Sequence, residues 1–120
     1  MGGSITVEHD PRGAGIVALV GEIDLGDQEA LQEAIDRVWA LGPAIIIDLS
    51  EATFFDSTIL MVIMQALRRA EASDRETLAL VVPLRSHANR LLVVSGFTQL
   101  LMPIAETRDE IFQAWEQTEG

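Results

Sequence analysis

Asp56, Ser57 and Thr58 stand directly in front of the longest apolar run of the chain, Ile59–Met64. Upstream, a β-branched run, Ile45–Ile47, closes at Asp48, and a polar-and-aromatic connection, Leu49–Phe55, follows. A β-branched run bounded by turn signals predicts a buried strand. Ser or Asp just ahead of an apolar run predicts a helix N-cap. The local reading is strand, loop, and a helix that starts at Ser57 or beside it. Backbone N–H groups at a helix start lack intrahelical partners, and the macrodipole there favours anions. A phosphate on Ser57 would meet a surface suited to it. The alternative reading is that Ser57 only caps the helix.

Other chemistry-bearing residues are sparse. His9 and His87 are the only histidines, and no G-x-S-x-G elbow surrounds Ser57, so a Ser–His–Asp hydrolase is disfavoured. No P-loop or G-x-G-x-x-G occurs. His9-Asp10 is a single pair without metal-ligand spacing. Neither cofactor, metal nor catalytic residue is expected, and the chain is not expected to be an enzyme.

The segment DLSEATFFDSTIL resembles the signature of the STAS domain, in particular that of bacterial anti-sigma-factor antagonists (anti-anti-sigma factors). That pattern runs from an aliphatic strand through Asp-Leu-Ser to Phe-aliphatic-Asp-Ser-Ser/Thr-Gly-Leu and a helix. The resemblance implies that Ser57 is the residue phosphorylated by a partner anti-sigma factor, itself a kinase, with Asp56 beside it. Ile59 occupies the position of the family's glycine. Gly21-Glu22-Ile23-Asp24-Leu25 resembles the family's Gly-Glu-Leu-Asp segment, which places Asp24 in the partner surface beside Ser57; its bland reading is a turn with capping acids, a role Asp27 could equally fill. The implied function is a switch: unphosphorylated, the chain binds the anti-sigma factor and releases a sigma factor; a separate phosphatase, of the PP2C type, restores the serine. STAS domains also serve as subunits of non-sigma assemblies, such as lipid-transport complexes and stress-signalling particles, without a phosphoswitch.

The elements that must position these residues follow from periodicity. Ser4–Glu8 alternates as a strand, Asp10–Gly13 is a turn, and Ile16–Val20 completes an edge hairpin. Gln28–Leu41 is helical, with Leu31, Ile35, Val38 and Trp39 on one face, and Gly42-Pro43 ends it. Ala44–Asp48 is apolar on both faces and therefore central. In the helix from Ser57, a core face centred on Leu60 includes Ile63, Met64 and Leu67 and turns Met61 and Val62 outward. Beside the phosphosite these two, with Asp24, Asp56, Ser57, Thr58 and Ile59, form the expected partner surface. Arg68 and Arg69 fall toward solvent. Thr77–Val82 is a strand closed by Pro83, and Ser86–Val94 a short helix capped by Ser86 and ended by Gly96-Phe97. Leu100–Ala105 is an edge strand interrupted by Pro103, and Glu106–Glu116 a helix with Ile111, Phe112 and Trp115 on one face.

Alternating strands and helices define an α/β protein. The resemblance narrows this to a STAS fold, a β–α superhelix with a mixed sheet on one side and helices on the other. The 120 residues suit a single domain, 1–120, with frayed ends at 1–3 and 118–120. The apolar fraction of 48% is enough for a core, and the absence of cysteine excludes disulfides. Net charge is −11 and all eight basic residues are arginines, a balance that repels nucleic acid and anionic membrane. No membrane span or signal peptide is legible, so the expected location is the cytoplasm and the expected state of the isolated chain a monomer.

Overall fold

The computed structural model describes residues 2–86, 88–90 and 104–119. His87, the 91–94 part of the expected helix, Gly96-Phe97 and the 100–103 part of the last strand lie outside the described residues.

Among the described residues five strands form one sheet in sequence order: β1 (Ser4–His9), β2 (Gly15–Ile23), β3 (Ala44–Phe55), β4 (Thr77–Val81) and β5 (Ile104–Ala105). β1 and β2 form the antiparallel edge hairpin, whereas β2, β3, β4 and β5 run parallel. The short β5 takes the other edge, as a segment next to Pro103 should. Gly3 N also donates to Glu22 O at 2.7 Å, which ties the chain ahead of β1 to β2.

Helix α1 (Gln28–Leu41) and helix α2 (Ser57–Glu71) cover one sheet face. Leu31, Ile35, Val38 and Trp39 of α1 pack there with Val17 and Leu19 of β2 and Ile45 and Ile47 of β3. α1 approaches β2 so closely that a side chain at Gly15 would run into Val38. Helix α3 (Arg108–Glu119) lies on the opposite face, where Ile111 and Phe112 meet Ile16, Ile46, Ala79 and Val81. The sheet is therefore covered on both faces, not on one side only. That is why the middles of β2, β3 and β4 are apolar without interruption.

β3 is longer than the Ala44–Asp48 strand expected from composition, because Leu49–Phe55 continues the ladder rather than forming a connection. The register jumps from Ala18↔Asp48 to Val20↔Glu51 and from Gly21↔Ala52 to Glu22↔Phe54. Each jump inserts one extra residue in β3, a bulge that breaks the two-residue period. The buried residues of this half are accordingly Leu49, Ala52 and Phe55, three apart.

Ion pairs tie the layers together. Arg108 at the start of α3 donates to Asp48 of β3 at 2.8 Å and to Glu8 of β1 at 2.9 Å. Asp48, only 6% exposed, also accepts from Ser50 N. On the other face Arg69 of α2 pairs with Asp36 of α1 and with Glu76, and its guanidinium sits 4.5 Å from the Trp39 ring centroid. Arg68 and Arg69 are exposed, as their helix positions require.

Candidate functional site

The C-terminal ends of β2 and β3 are aligned by their last register pair, Ile23↔Phe55. The next residue on each strand is an aspartate, Asp24 on one and Asp56 on the other, and each caps the helix that follows. Asp24 Oδ1 accepts from Gly26 N at 2.9 Å, and Asp27 Oδ2 accepts from Asp24 N at 3.0 Å, closing a 3₁₀ turn over Leu25–Asp27. Asp24 and Asp27 thus both cap. Parallel strands lie about 5 Å apart, so the two caps leave the sheet side by side, and the 3₁₀ turn packs against α2.

Asp56 is the N-cap of α2. Its Oδ1 accepts from Thr58 N at 3.1 Å and from Ile59 N at 3.2 Å, and its carbonyl accepts from Leu60 N. Of the first four helical N–H groups, this leaves only that of Ser57 without a partner among the described residues. Ser57 occupies the first helical position, and its side chain is exposed. Its hydroxyl engages no group among the described residues, so the reading of Ser57 as the cap is replaced by Asp56. The anion-binding capacity of this helix start is already used by the Asp56 carboxylate.

α2 is rotated from the expected orientation. Ile59, Val62, Ile63, Ala66, Leu67 and Ala70 are buried, while Leu60 and Met64 are only partly so. Ile59 and Val62, expected in the partner surface, are 0% and 2% exposed and belong to the core. Val62 lies one helical turn before Ala66 and three residues after Ile59, which puts it on the buried stripe. Met61, at 58% exposed, is the outward residue of the pair. Because the Ile59 side chain points inward, it does not stand over the Ser57 hydroxyl.

Asp24, Asp56, Ser57, Thr58 and Met61 are therefore brought to one end of the sheet. Leu25, 63% exposed, joins them, as does Phe54, which is also exposed. Neither was singled out from the sequence: Leu25 only closed the Gly21–Leu25 segment, and Phe54 fell in the expected connection, although its place one residue before a buried Phe55 in an extended strand is an outward one. Segments 20–27 and 49–61 contain Glu22, Asp24, Asp27, Glu51 and Asp56 and no basic residue. The face thus combines exposed apolar side chains with negative charge.

The STAS domain family matches residues 4–111, and the chain belongs to this family. The chain is similar to an anti-sigma factor antagonist from Mycobacterium paratuberculosis, with 26% identity, a TM-score of 0.80, and 93% of this chain and 92% of that one covered. It shares its fold with SpoIIAA, an anti-sigma factor antagonist, in its unphosphorylated form (20% identity, TM-score 0.70, 98% and 99% covered). The Bacillus SpoIIAA in its phosphorylated form is similar too (19%, 0.68, 92% and 98%). A sulfate transporter family protein from Wolinella succinogenes has the same fold (16%, 0.72, 92% and 90%). No curated protein matches the chain. Among the described residues no helix is long and apolar enough to cross a membrane.

Proposed function

We propose that this STAS domain is an anti-sigma factor antagonist switched off by phosphorylation of Ser57. The observation that carries the reading is the division of labour at the start of α2. Asp56 supplies the cap, so Ser57 stands exposed at the first helical position with a hydroxyl that the fold does not use. The similarity to the Mycobacterium antagonist and to SpoIIAA supports the same role.

In this reading the unphosphorylated face, with Asp24, Asp56, Ser57, Thr58 and Met61, binds an anti-sigma factor kinase and so releases a sigma factor. The kinase supplies ATP and the base. The Ser57 Oγ attacks the γ-phosphorus, ADP leaves, and the hydroxyl proton passes to the kinase. This chain contributes the acceptor and no catalytic group. The product carries about −1.5 to −2 extra charge beside Asp56, on a face that is already acidic. A phosphatase of the PP2C type resets it. Such a cycle places the protein in the cytoplasm.

Incubation with the cognate kinase and ATP, followed by mass spectrometry, tests the assignment. One phosphate on Ser57, absent from Ser57→Ala although that variant still binds the kinase, is the expected result. Labelling that persists in Ser57→Ala and disappears in Thr58→Ala moves the site by one residue and defeats it. Recovery of a transporter ATPase, and no kinase, as the co-purifying partner defeats the sigma-factor role.

A further inference from the structure

The opposite end of the sheet holds a cleft that the phosphoswitch does not use. It lies at the N-terminal ends of β2, β3 and β4, where Ala14, Ala44 and Thr77 form its floor. Its volume is about 610 Å³, within the range of about 300–1,000 Å³ of small-molecule sites. From there to Ser57 is the length of β3, 12 residues, or about 35 Å at roughly 3.3 Å per step.

The walls are chemically distinct. One is aromatic: Phe112 and Trp115 of α3 meet edge to face with centroids 5.6 Å apart, and Trp115 is only partly buried. Two guanidiniums, of Arg12 and Arg75, also line it. Arg12 is held rigidly: it donates to Asp10 at 3.0 and 3.1 Å and to Asp109, and it stacks 3.9 Å from the Phe112 centroid. Its charge is therefore largely neutralised by its own carboxylates. Arg75 differs. It is exposed, and its guanidinium has no ion pair or hydrogen bond among the described residues. Glu116 also lines the cleft. In a chain of net charge −11, an unpaired arginine beside an aromatic wall and a floor of small residues is an unusual local chemistry.

From this arrangement we infer a second site, one that binds a small aromatic anion: a flat ring against Trp115, which Phe112 backs from the core, with its carboxylate on Arg75. The ring replaces water over Trp115 and the partly exposed Ala44. The carboxylate gains a bidentate partner in the Arg75 fork, which has none in the free protein. A ring without charge would gain only the first term. An anion without a ring would gain only the second, and that near Glu116.

The test uses the full chain and 1-naphthoate as probe, with 1-naphthamide and cyclohexanecarboxylate as controls. Backbone and indole N–H resonances are followed through the titration. Saturable shifts are expected at Gly13, Ala44, Thr77 and the Trp115 indole, with the amides of Ser57–Leu60 unmoved and naphthoate bound more tightly than either control. Arg75→Gln should weaken naphthoate by about tenfold, equivalent to about 1.4 kcal/mol, and leave naphthamide unchanged. Trp115→Leu should weaken both ring compounds; thermal melts check that it folds, and Arg75→Gln, an exposed turn residue, carries the test if it does not. Absence of saturable shifts, equal binding of all three compounds, or a naphthoate affinity indifferent to Arg75→Gln would each overturn the inference. Ser57→Ala is expected to bind naphthoate like wild type, so failure here leaves the phosphoswitch standing, and the reverse holds too.

Discussion

Replacing Asp56 by Ala asks which residue starts α2. The change removes one carboxylate oxygen that holds two N–H groups, those of Thr58 and Ile59, at 3.1 and 3.2 Å. Loss of an N-cap costs about 1 kcal/mol and up to about 2. Loss of a negative charge at the positive end of the helix adds about 0.3–1 kcal/mol. Ile59 is buried, so its orphaned N–H has little access to water, which places the expected total toward the upper part, about 1.5–2.5 kcal/mol. For a domain of this size each kcal/mol lowers Tm by about 3–6 °C, so the melt should fall by about 5–15 °C. Asp56→Asn keeps an acceptor and should lose about 0.3–1 kcal/mol. Ser57→Ala, whose hydroxyl the fold does not use, should stay within about 0.5 kcal/mol of wild type. Urea melts followed by circular dichroism give all three values. If Ser57→Ala costs as much as Asp56→Ala, then Ser57 is the cap, its hydroxyl is committed to the fold, and the division of labour proposed for the switch fails.

Three further outcomes are expected. Val62→Asp puts a charge where the native side chain is 2% exposed and should cost roughly 3–5 kcal/mol, whereas Met61→Asp should stay within about 1 kcal/mol while weakening kinase binding; equal melts for the two would refute the helix rotation. Ser57→Asp should fold like wild type but bind the anti-sigma factor more weakly, and titration calorimetry should show part of the loss returning as salt shortens the screening length; a loss indifferent to salt would exclude repulsion as its cause. Arg12 holds the Asp10 carboxyl below its ordinary 3.8, first through its side-chain hydrogen bond and then through its backbone N–H. A lowered folded value means stability that is present above about pH 4 and lost as pH falls through the folded value. Asp10→Asn should therefore be less stable than wild type near neutrality, with the difference closing in acid; a gap that widens below pH 4 would reverse the sign and defeat the argument.

The sequence disclosed α1 with its ends, because Leu31, Ile35, Val38 and Trp39 keep a helical period and Gly42-Pro43 cannot continue it. It disclosed the edge hairpin and the apolar middle of β3 for similar reasons. The rest of β3 stayed hidden because two bulges turn a period of two into a spacing of three at Leu49, Ala52 and Phe55, which matches neither template. The orientation of α2 was misjudged because Ile59–Met64 is apolar all round, so the pattern alone cannot say which stripe faces the sheet. Burial of Ile59 and Val62 decides it, and that depends on where β3 delivers the chain. At the candidate site, the Asp-Ser-Thr motif announced a helix start, and α2 begins at Ser57. The identity of the cap was not legible, since Asp and Ser are both good caps and only geometry separates them.

The cap also determines how a phosphate could act. At an empty helix start, a phosphoserine would collect several N–H groups and reorganise the first turn. Here Thr58 N and Ile59 N are held by Asp56 and Leu60 N by the Asp56 carbonyl, so few donors remain for the new oxygens. Either the phosphate displaces Asp56, exchanging one anion for another at the same donors, or it stays outward beside it. In both cases negative charge is added at the end of the sheet where Asp24 and Asp56 each follow a residue of the last register pair, Ile23↔Phe55. The switch proposed for Ser57 would then act by electrostatics on the partner's side of the interface and not by refolding of this chain. The register that places the two aspartates side by side therefore does as much for the proposed regulation as the serine, because it sets the charge against which the phosphate is added.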